Sequence, residues 1–384
     1  MANLFSIPQV IISGEKALQM SGQHLKSYGN RALIVTDDMM VKLGNVKKLT
    51  DTLDEIKVSY VIFSAINCEP THSMVDDGVK IYKKEKCEFL IGIGGGSPMD
   101  SMKAIGTVVS NGGSICDYVG KLIEHALPPL VAIPTTAGTG SEATKISIIT
   151  NTNTDVKMLL NDSKLIANLA IVDPVFTLTV PPAVTAATGV DALTHAIEAY
   201  TSLKAFSMSD IYAISAVKRI FDNLYEVYAN GSNVQARREM AIAALEAGIA
   251  FSNASVTVVH GMSRPIGAMF HVPHGLSNAM LLKVCLPYIK PGATARLNNL
   301  AKEIGVFRQG MTPDEGADAF VVATMALLRT LNIPSPAEFG ISREDFFNVI
   351  PKMAEDALAS GSPGNTRRVP NEEEIEELYK KLWY

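Results

Sequence analysis

Several features that large protein classes depend on are missing from this sequence. It has no long run of lysines and arginines, and acids outnumber bases 39 to 34, for a formal charge of −5. A nucleic-acid partner therefore has no electrostatic footing. The four cysteines, at 68, 87, 116 and 285, are scattered, with no Cys-x-x-Cys pair. That argues against a cysteine-built structural zinc site or a disulfide scaffold and fits free thiols in a reducing compartment. The opening MANLFSIPQV lacks a basic stretch followed by a long apolar run, so no signal peptide is expected. Apolar runs are broken by Gly, Pro, Asp or Asn well short of the ~18 residues of a spanning helix. The expectation is a cytoplasmic protein with neither membrane nor nucleic-acid partners. The Gly-x-x-x-x-Gly-Lys-Ser/Thr loop is absent, which argues against a nucleotide triphosphatase.

What is present is ample apolar material, 47% of 384 residues, too long a chain for one core. Its two halves have different rhythms. In the first, RALIVTD (31–37), VSYVIFS (58–64), EFLIGIGGG (88–96), PPLVAIPTT (128–136) and LAIVDP (169–174) read as strands. Helical segments at 39–56, 71–86 and 98–110 alternate with the earlier ones, the pattern of a parallel sheet covered on both faces. KISIITNT and KMLLND have no long helix between them and read as an antiparallel excursion. Beyond Pro181 and Pro182, helical spacing dominates at 183–200, 207–229, 233–252, 291–304, 313–331, 342–359 and 371–382. The expected architecture is an α/β domain with a parallel Rossmann-like sheet over 1–182 and an all-α domain over 183–384.

Two glycine loops follow adjacent strands of the first half. In IGIGGGSPMDSMKAIG, Gly94, Gly95 and Gly96 permit a sharp turn, Ser97 suits an N-cap and Pro98 the first helical turn. Backbone N–H groups at such a helix start hold an anion such as a pyrophosphate. The Gly-x-Gly-x-x-Gly fingerprint is absent, and a tight turn without a ligand would look the same. PTTAGTGSEAT (134–144) adds hydroxyls that suit an adenine, a ribose or a phosphate. Asp37, closing the first strand, can accept from ribose hydroxyls and repel a 2′-phosphate, which favours NAD over NADP. A helix cap is the other reading of Asp37, and Asp38 is an equally acidic neighbour.

The second half carries the other constellation. In TGVDALTHAIEAY, Asp191 and His195 are four residues apart and share a helix face. Glu198 lies near that face as a reserve ligand or an acceptor behind the ligands. His260, His271 and His274 cluster within VHGMSRPIGAMFHVPHG, although the chain has only seven histidines. One carboxylate with three imidazoles suits Fe(II) or Zn(II) and leaves positions for a substrate oxygen. Spacing alone leaves His271 and His274 as competitors.

Taken in order, these segments resemble the iron-containing, group III alcohol dehydrogenases. The resemblance runs through VTD (35–37), CEPT (68–71), GGGSPMDSMK (94–103), PTTAGTGSE (134–142), IVDP (171–174), TGVDALTHAIEAY (188–200), VHGMSRPIG (259–267) and HVPHG (271–275). It implies the dehydroquinate synthase-like fold, with a dinucleotide-binding α/β domain, a helical domain and the active site in the cleft between them. It assigns the metal to Asp191, His195, His260 and His274, so it selects His274 over His271. It assigns coenzyme contacts to Asp37, Gly95, Gly96, Ser97, Asp100, Thr135, Thr136 and Ser141, with Lys157 and Leu178 beside them. The implied activity is reversible hydride transfer between NAD and a small primary or secondary alcohol or diol, in a homodimer or larger homo-oligomer using Fe(II), or Zn(II) as in some members.

One departure stands out. Many members carry a histidine four positions after the third ligand, where this chain has Arg264. Arginine cannot accept a proton at ordinary pH. Arg264 therefore pairs either with an acid of the chain or with a carboxylate-bearing substrate, and His271 is the other candidate substrate contact. Glycerol or hydroxy-acid oxidation, a dehydroquinate synthase-like lyase reaction and a non-catalytic metal or nucleotide sensor are the alternative functions.

Overall fold

β-Branched runs bounded by turn residues become the strands of a parallel sheet. The computed structural model describes residues 2–154 and 156–384. The strands are β1 (Val10–Ser13), β2 (Arg31–Val35), β3 (Ser59–Phe63), β4 (Phe89–Gly94), β5 (Leu130–Pro134), β6 (Ile146–Asn151), β7 (Val156–Asn161) and β8 (Leu169–Val172). Six form a parallel sheet in the order β1-β8-β5-β4-β2-β3, and β6 and β7 form an antiparallel pair. Alternation along each strand supplies two cores. Leu33, Val35, Leu90, Leu130 and Ala132 enter one, while Ala32, Ile34, Phe89, Ile91, Val131 and Ile133 enter the other.

The chain leaves β2 for β3 at one edge, then returns past β2 to build β4 and β5. The strand order therefore reverses between β2 and β4, where open parallel sheets bind ligands at their carboxyl ends. Asp37 follows β2, and Gly94–Gly96 follow β4.

β1 is not evident from the sequence, because only four residues between Pro8 and Gly14 form it. The helical rhythm at 39–56 divides at Gly44, whose φ is 76°. The helix after β4 spans Gly96–Asn111 with Gly95 as its N-cap, so Ser97 lies in the first turn and is not the cap. Of the three glycines, Gly94 alone needs glycine's freedom, with φ 152°.

Ser6–Val180 form one compact unit, and Pro181–Tyr384 with residues 2–5 form another. In the second unit Phe5 stacks on Tyr212. That unit has no strand among the described residues and is built mainly from Pro182–Thr201, Ser207–Ala229, Val234–Ala254, Val258–Phe270, His274–Glu303, Pro313–Thr330 and Glu372–Trp383. The rhythm at 342–359 breaks into Arg343–Asn348 and Ile350–Ala359, where Pro351 enters the first turn of the second helix. The rhythm at 291–304 belongs to a longer helix, kinked at Ala293, that begins at His274. Among the described residues no single helix is long and apolar enough to cross a membrane.

A buried lysine pins the two glycine loops of the first unit together. Lys103, on the helix after β4, is fully buried. Its ammonium donates to the carbonyls of Ser141, Thr144 and Ile146 and to the hydroxyls of Ser141 and Thr144, at 2.7–3.1 Å. Asp100, one turn earlier, accepts from Ser141 Oγ at 2.7 Å and from the Ile148 amide at 3.0 Å. Burial pushes Lys103 down to about 8, against the pull of Asp100 and Glu142. Burial also pushes Glu142 up to about 7, and neither of its carboxyl oxygens has a hydrogen-bond partner.

Lys103→Met keeps most of the stem but orphans these acceptors beside Asp100. It should cost about 3–5 kcal/mol, read as an earlier thermal transition with the second loop exchanging amide protons faster. Glu142 gives a pH test. A carboxyl raised from 4.5 to about 7 contributes stability that is full below 4.5 and lost as pH rises through 7. That difference is worth on the order of 3 kcal/mol. Glu142→Gln should therefore gain melting temperature on its parent between about pH 5 and pH 8. A pH-independent difference between the two proteins would refute the raised value.

Candidate metal centre and coenzyme loops

Helix Pro182–Thr201 places Asp191, His195 and Glu198 along one buried face at i, i+4 and i+7. Helix Val258–Phe270 adds His260, and His274 opens the next long helix. Two successive helices thus deliver the later imidazoles. One ligand atom from each of Asp191, His195, His260 and His274 lies within 4.8 Å of the others. The first three side chains are buried and His274 is exposed. The His195 ring stacks between Phe251 at 4.2 Å and His260 at 4.4 Å between centroids. Gly275 lets the His274 turn approach the Asp191 helix, since a Cβ there would meet Ala187 O at 3.1 Å and Asp191 Cβ at 3.3 Å.

Glu198 stands behind this cluster. Its Oε1 accepts from Thr257 Oγ1 at 2.6 Å and from the Val259 amide at 2.7 Å, and its Oε2 lies 2.5 Å from His260 Nδ1. Burial pushes Glu198 up, but His260 and Thr257 outweigh it and hold the carboxylate below its ordinary value. An ionised carboxylate only accepts, so His260 Nδ1 carries the proton and Nε2 presents its lone pair. Burial likewise pushes Asp191 up, but His195, His274 and His260 together bring it below its usual range. Burial drives His195 down to about 3, which keeps the ring neutral. The cluster thus offers one carboxylate oxygen and imidazole nitrogens.

Asn278 tests whether these donors fit a cation. Its Nδ2 lies 2.7 Å from Asp191 Oδ1, 3.0 Å from His260 Nε2 and 3.1 Å from His274 Nε2. The amide NH₂ is a donor carrying partial positive charge, and two lone pairs of known orientation, from Asp191 and His260, meet at it. A dication would balance these groups better than an amide's partial charge does. Asn278 Oδ1 is meanwhile buried without a partner. A divalent cation therefore fits the donor set, and the geometry separates His274 from His271. His271 lies outside the cluster, exposed in a left-handed conformation (φ 55°) at the end of helix Val258–Phe270.

The residues expected to touch coenzyme lie at the carboxyl edge of the sheet or on the hairpin beside it. Asp37 caps the following helix through Met40 N at 2.8 Å, so the helix-cap reading of this acid describes its contact here. Thr135 donates its amide to Gly94 O at 2.9 Å, joining the two loops. Thr136 Oγ1 lies 3.9 Å from where a Cβ on Gly95 would stand, and Gly96 faces Thr139. Gly95, Gly96 and Ser97 are partly exposed at the helix start, while Asp100 and Ser141 bond each other. Lys157, on β7, is paired with Glu69 at 2.6 Å. Leu178 is partly buried after the short helix Pro174–Phe176. Sequence reasoning missed Asn278, Lys103 and Thr257. Asn278 was within reach, because it follows His274 by the same four residues that separate Asp191 from His195.

The chain resembles known proteins along its whole length. Residues 8–174 match the family model described as iron-containing alcohol dehydrogenase, and residues 185–383 match the C-terminal model of that family. The chain is 36% identical to 1,3-propanediol dehydrogenase of Citrobacter freundii, over 99% of this chain and 98% of that one. It is also 36% identical to the NAD-dependent methanol dehydrogenase of Bacillus methanolicus, over 99% of both. A crystal structure of 1,3-propanediol oxidoreductase superposes over all of both chains with a TM-score of 0.96 at 34% identity. The chain belongs to the iron-containing alcohol dehydrogenase family.

Proposed function

We propose that this enzyme transfers hydride reversibly between NAD and a small primary or secondary alcohol or diol, with Asp191, His195, His260 and His274 holding Fe(II). The observation that carries this reading is the convergence of the Asp191, His260 and His274 side chains on the Asn278 amide, with neutral His195 beside them. Zn(II) accommodates the same donors. Fe(II) bound there supplies a Lewis acid that polarises an alcohol or carbonyl oxygen. NAD supplies the hydride acceptor. The protein contributes charge and position. Asp191 offsets part of a dication's charge, and Glu198 keeps the His260 lone pair turned inward.

In the first unit, the N-terminal end of the Gly96–Asn111 helix offers backbone N–H groups to a pyrophosphate. Gly95, Gly96, Ser97, Thr135, Thr136 and Ser141 line that edge of the sheet, and Asp100 orients Ser141. Lys157 and Leu178 complete the proposed coenzyme surface. The Asp37 carboxylate disfavours a 2′-phosphate and so selects NAD. His271 is a polar contact for the substrate. The same reading makes the enzyme a homodimer or larger homo-oligomer, and its four free cysteines support a cytoplasmic location.

Removing metal with a chelator should abolish NAD-linked alcohol oxidation, and Fe(II) added without oxygen should restore it. Bound metal measured by elemental analysis should track activity at one ion per chain. Full activity in the chelated protein would overturn the metal assignment. Asp37→Ser separates charge from capping, since serine still caps the helix. The NADP-to-NAD ratio of kcat/KM should rise roughly tenfold or more, because a carboxylate no longer faces the 2′-phosphate. An unaltered ratio would remove Asp37 from coenzyme selection.

A further inference from the structure

Arg264 lies one helical turn after His260, on the same side of helix Val258–Phe270. It is only partly exposed. Among the described residues it makes no ion pair and no hydrogen bond. The acid that influences it is Glu198. Both oxygens of that carboxylate are already committed, to Thr257, Val259 and His260. Among the described residues, therefore, no acid bonds Arg264, and the internal salt bridge is not formed.

Other partly or fully buried arginines of the same unit show what such a group normally requires. Arg296 holds Asp210 through a forked contact at 2.5 Å and also donates to Tyr200 O. Arg219 bonds Glu239 and Glu246. Arg237 donates to Gly231 O at 2.9 Å and to Thr185 Oγ1 at 3.0 Å. A guanidinium stays charged and presents five donors in a rigid plane. Leaving it partly buried with none of them used is costly unless something else fills the site.

We infer that the substrate carries an oxyanion, a carboxylate or a sulfonate, which Arg264 receives while the hydroxyl or carbonyl end lies at the metal ligands. This rests on the dehydrogenase reading above and narrows it from small alcohols to short ω-hydroxy acids and the corresponding aldehydes. The planar fork matches either oxyanion through paired N–H donors, and Arg264 takes no part in proton transfer.

The test uses the full-length, Fe(II)-loaded enzyme and substrates matched in length. 3-Hydroxypropanoate and 2-hydroxyethanesulfonate are each compared with propane-1,3-diol by NADH formation. Propanoate, ethanesulfonate and propanamide are titrated as non-reacting ligands. The parent should favour at least one anionic alcohol over the diol, and whichever anion wins identifies the group. Arg264→Gln should lower the anion-to-diol ratio of kcat/KM by roughly 10- to 100-fold, the range for losing hydrogen bonds to a charged partner. Most of the loss should fall in KM for the anion, and Arg264→Lys should recover part of it. Thermal melting establishes that each variant is folded, and a variant that does not fold is replaced by the parent's own ranking of propanoate and ethanesulfonate against propanamide. A parent that prefers the diol and binds propanamide as well as the anions would overturn the inference. So would a folded Arg264→Gln with an unaltered ratio. If no alcohol is oxidised but propanoate or ethanesulfonate binds in an Arg264-dependent way, the anion site stands and the dehydrogenase reading falls.

Discussion

The Glu198 carboxylate is the constraint on which the metal centre depends. It is fully buried, which would ordinarily leave a carboxyl protonated. Three donors keep it charged, and all come from one segment, Thr257 to His260. One charge thus does two things. It anchors the start of the second ligand helix to the first, and it fixes which nitrogen of His260 faces the cluster. A neutral residue at 198 would lose both, since Thr257 and the Val259 amide would keep no charged acceptor and the imidazole no reason to prefer one tautomer.

The first unit solves a related problem with the opposite sign. Two loops rich in glycine and hydroxyl residues must hold a fixed shape, yet such loops have little side-chain packing of their own. Lys103 supplies it from below, with its ammonium among carbonyls and hydroxyls of the second loop while its backbone belongs to the helix that begins the first. Asp100 completes the clamp through Ser141. Of the three glycines in the first loop, one needs glycine's conformational freedom. Gly94 has the conformation that other residues resist, and a Cβ there would also meet Pro98 at 2.6 Å.

Much of this was legible in the sequence because it is local. Strands buried on both faces read as continuous apolar runs, and ligands on one helix face read as a four-residue interval. The antiparallel pair and the helical second half were visible in the same way. What escaped depends on contacts distant in sequence. β1 is a strand because β8 pairs with it, about 160 residues away, and its four residues carry too little pattern by themselves. Lys103 sits in a motif that reads as a glycine loop, and the acceptors that bury it come from the second loop, distant in sequence. Ser97 looked like a cap by residue type, but Gly95 occupies that position because the helix begins two residues earlier, at Gly96. Arg264 was the reverse case. Sequence marked it as unusual, and only the structure could show that Glu198, the acid that influences it, already has both oxygens bonded.

Charge balance gives that arginine its meaning. Asp191 and Glu198 are both held ionised, and His195 is held neutral. A dication among them cancels the two carboxylates and leaves the buried cluster near neutrality. Arg264 then adds a positive charge that no described residue pairs with, once Glu198 is counted against the dication. In a neutral-alcohol enzyme that charge would be a standing desolvation cost with no return. A monoanionic substrate cancels it, and it does so at the far end of the molecule from the reacting carbon. Binding energy gained there can orient the hydroxyl without acting on the chemistry itself. Substitution of a basic, planar group for a residue able to exchange protons thus exchanges one role for another, proton handling for recognition of the substrate's distal charge.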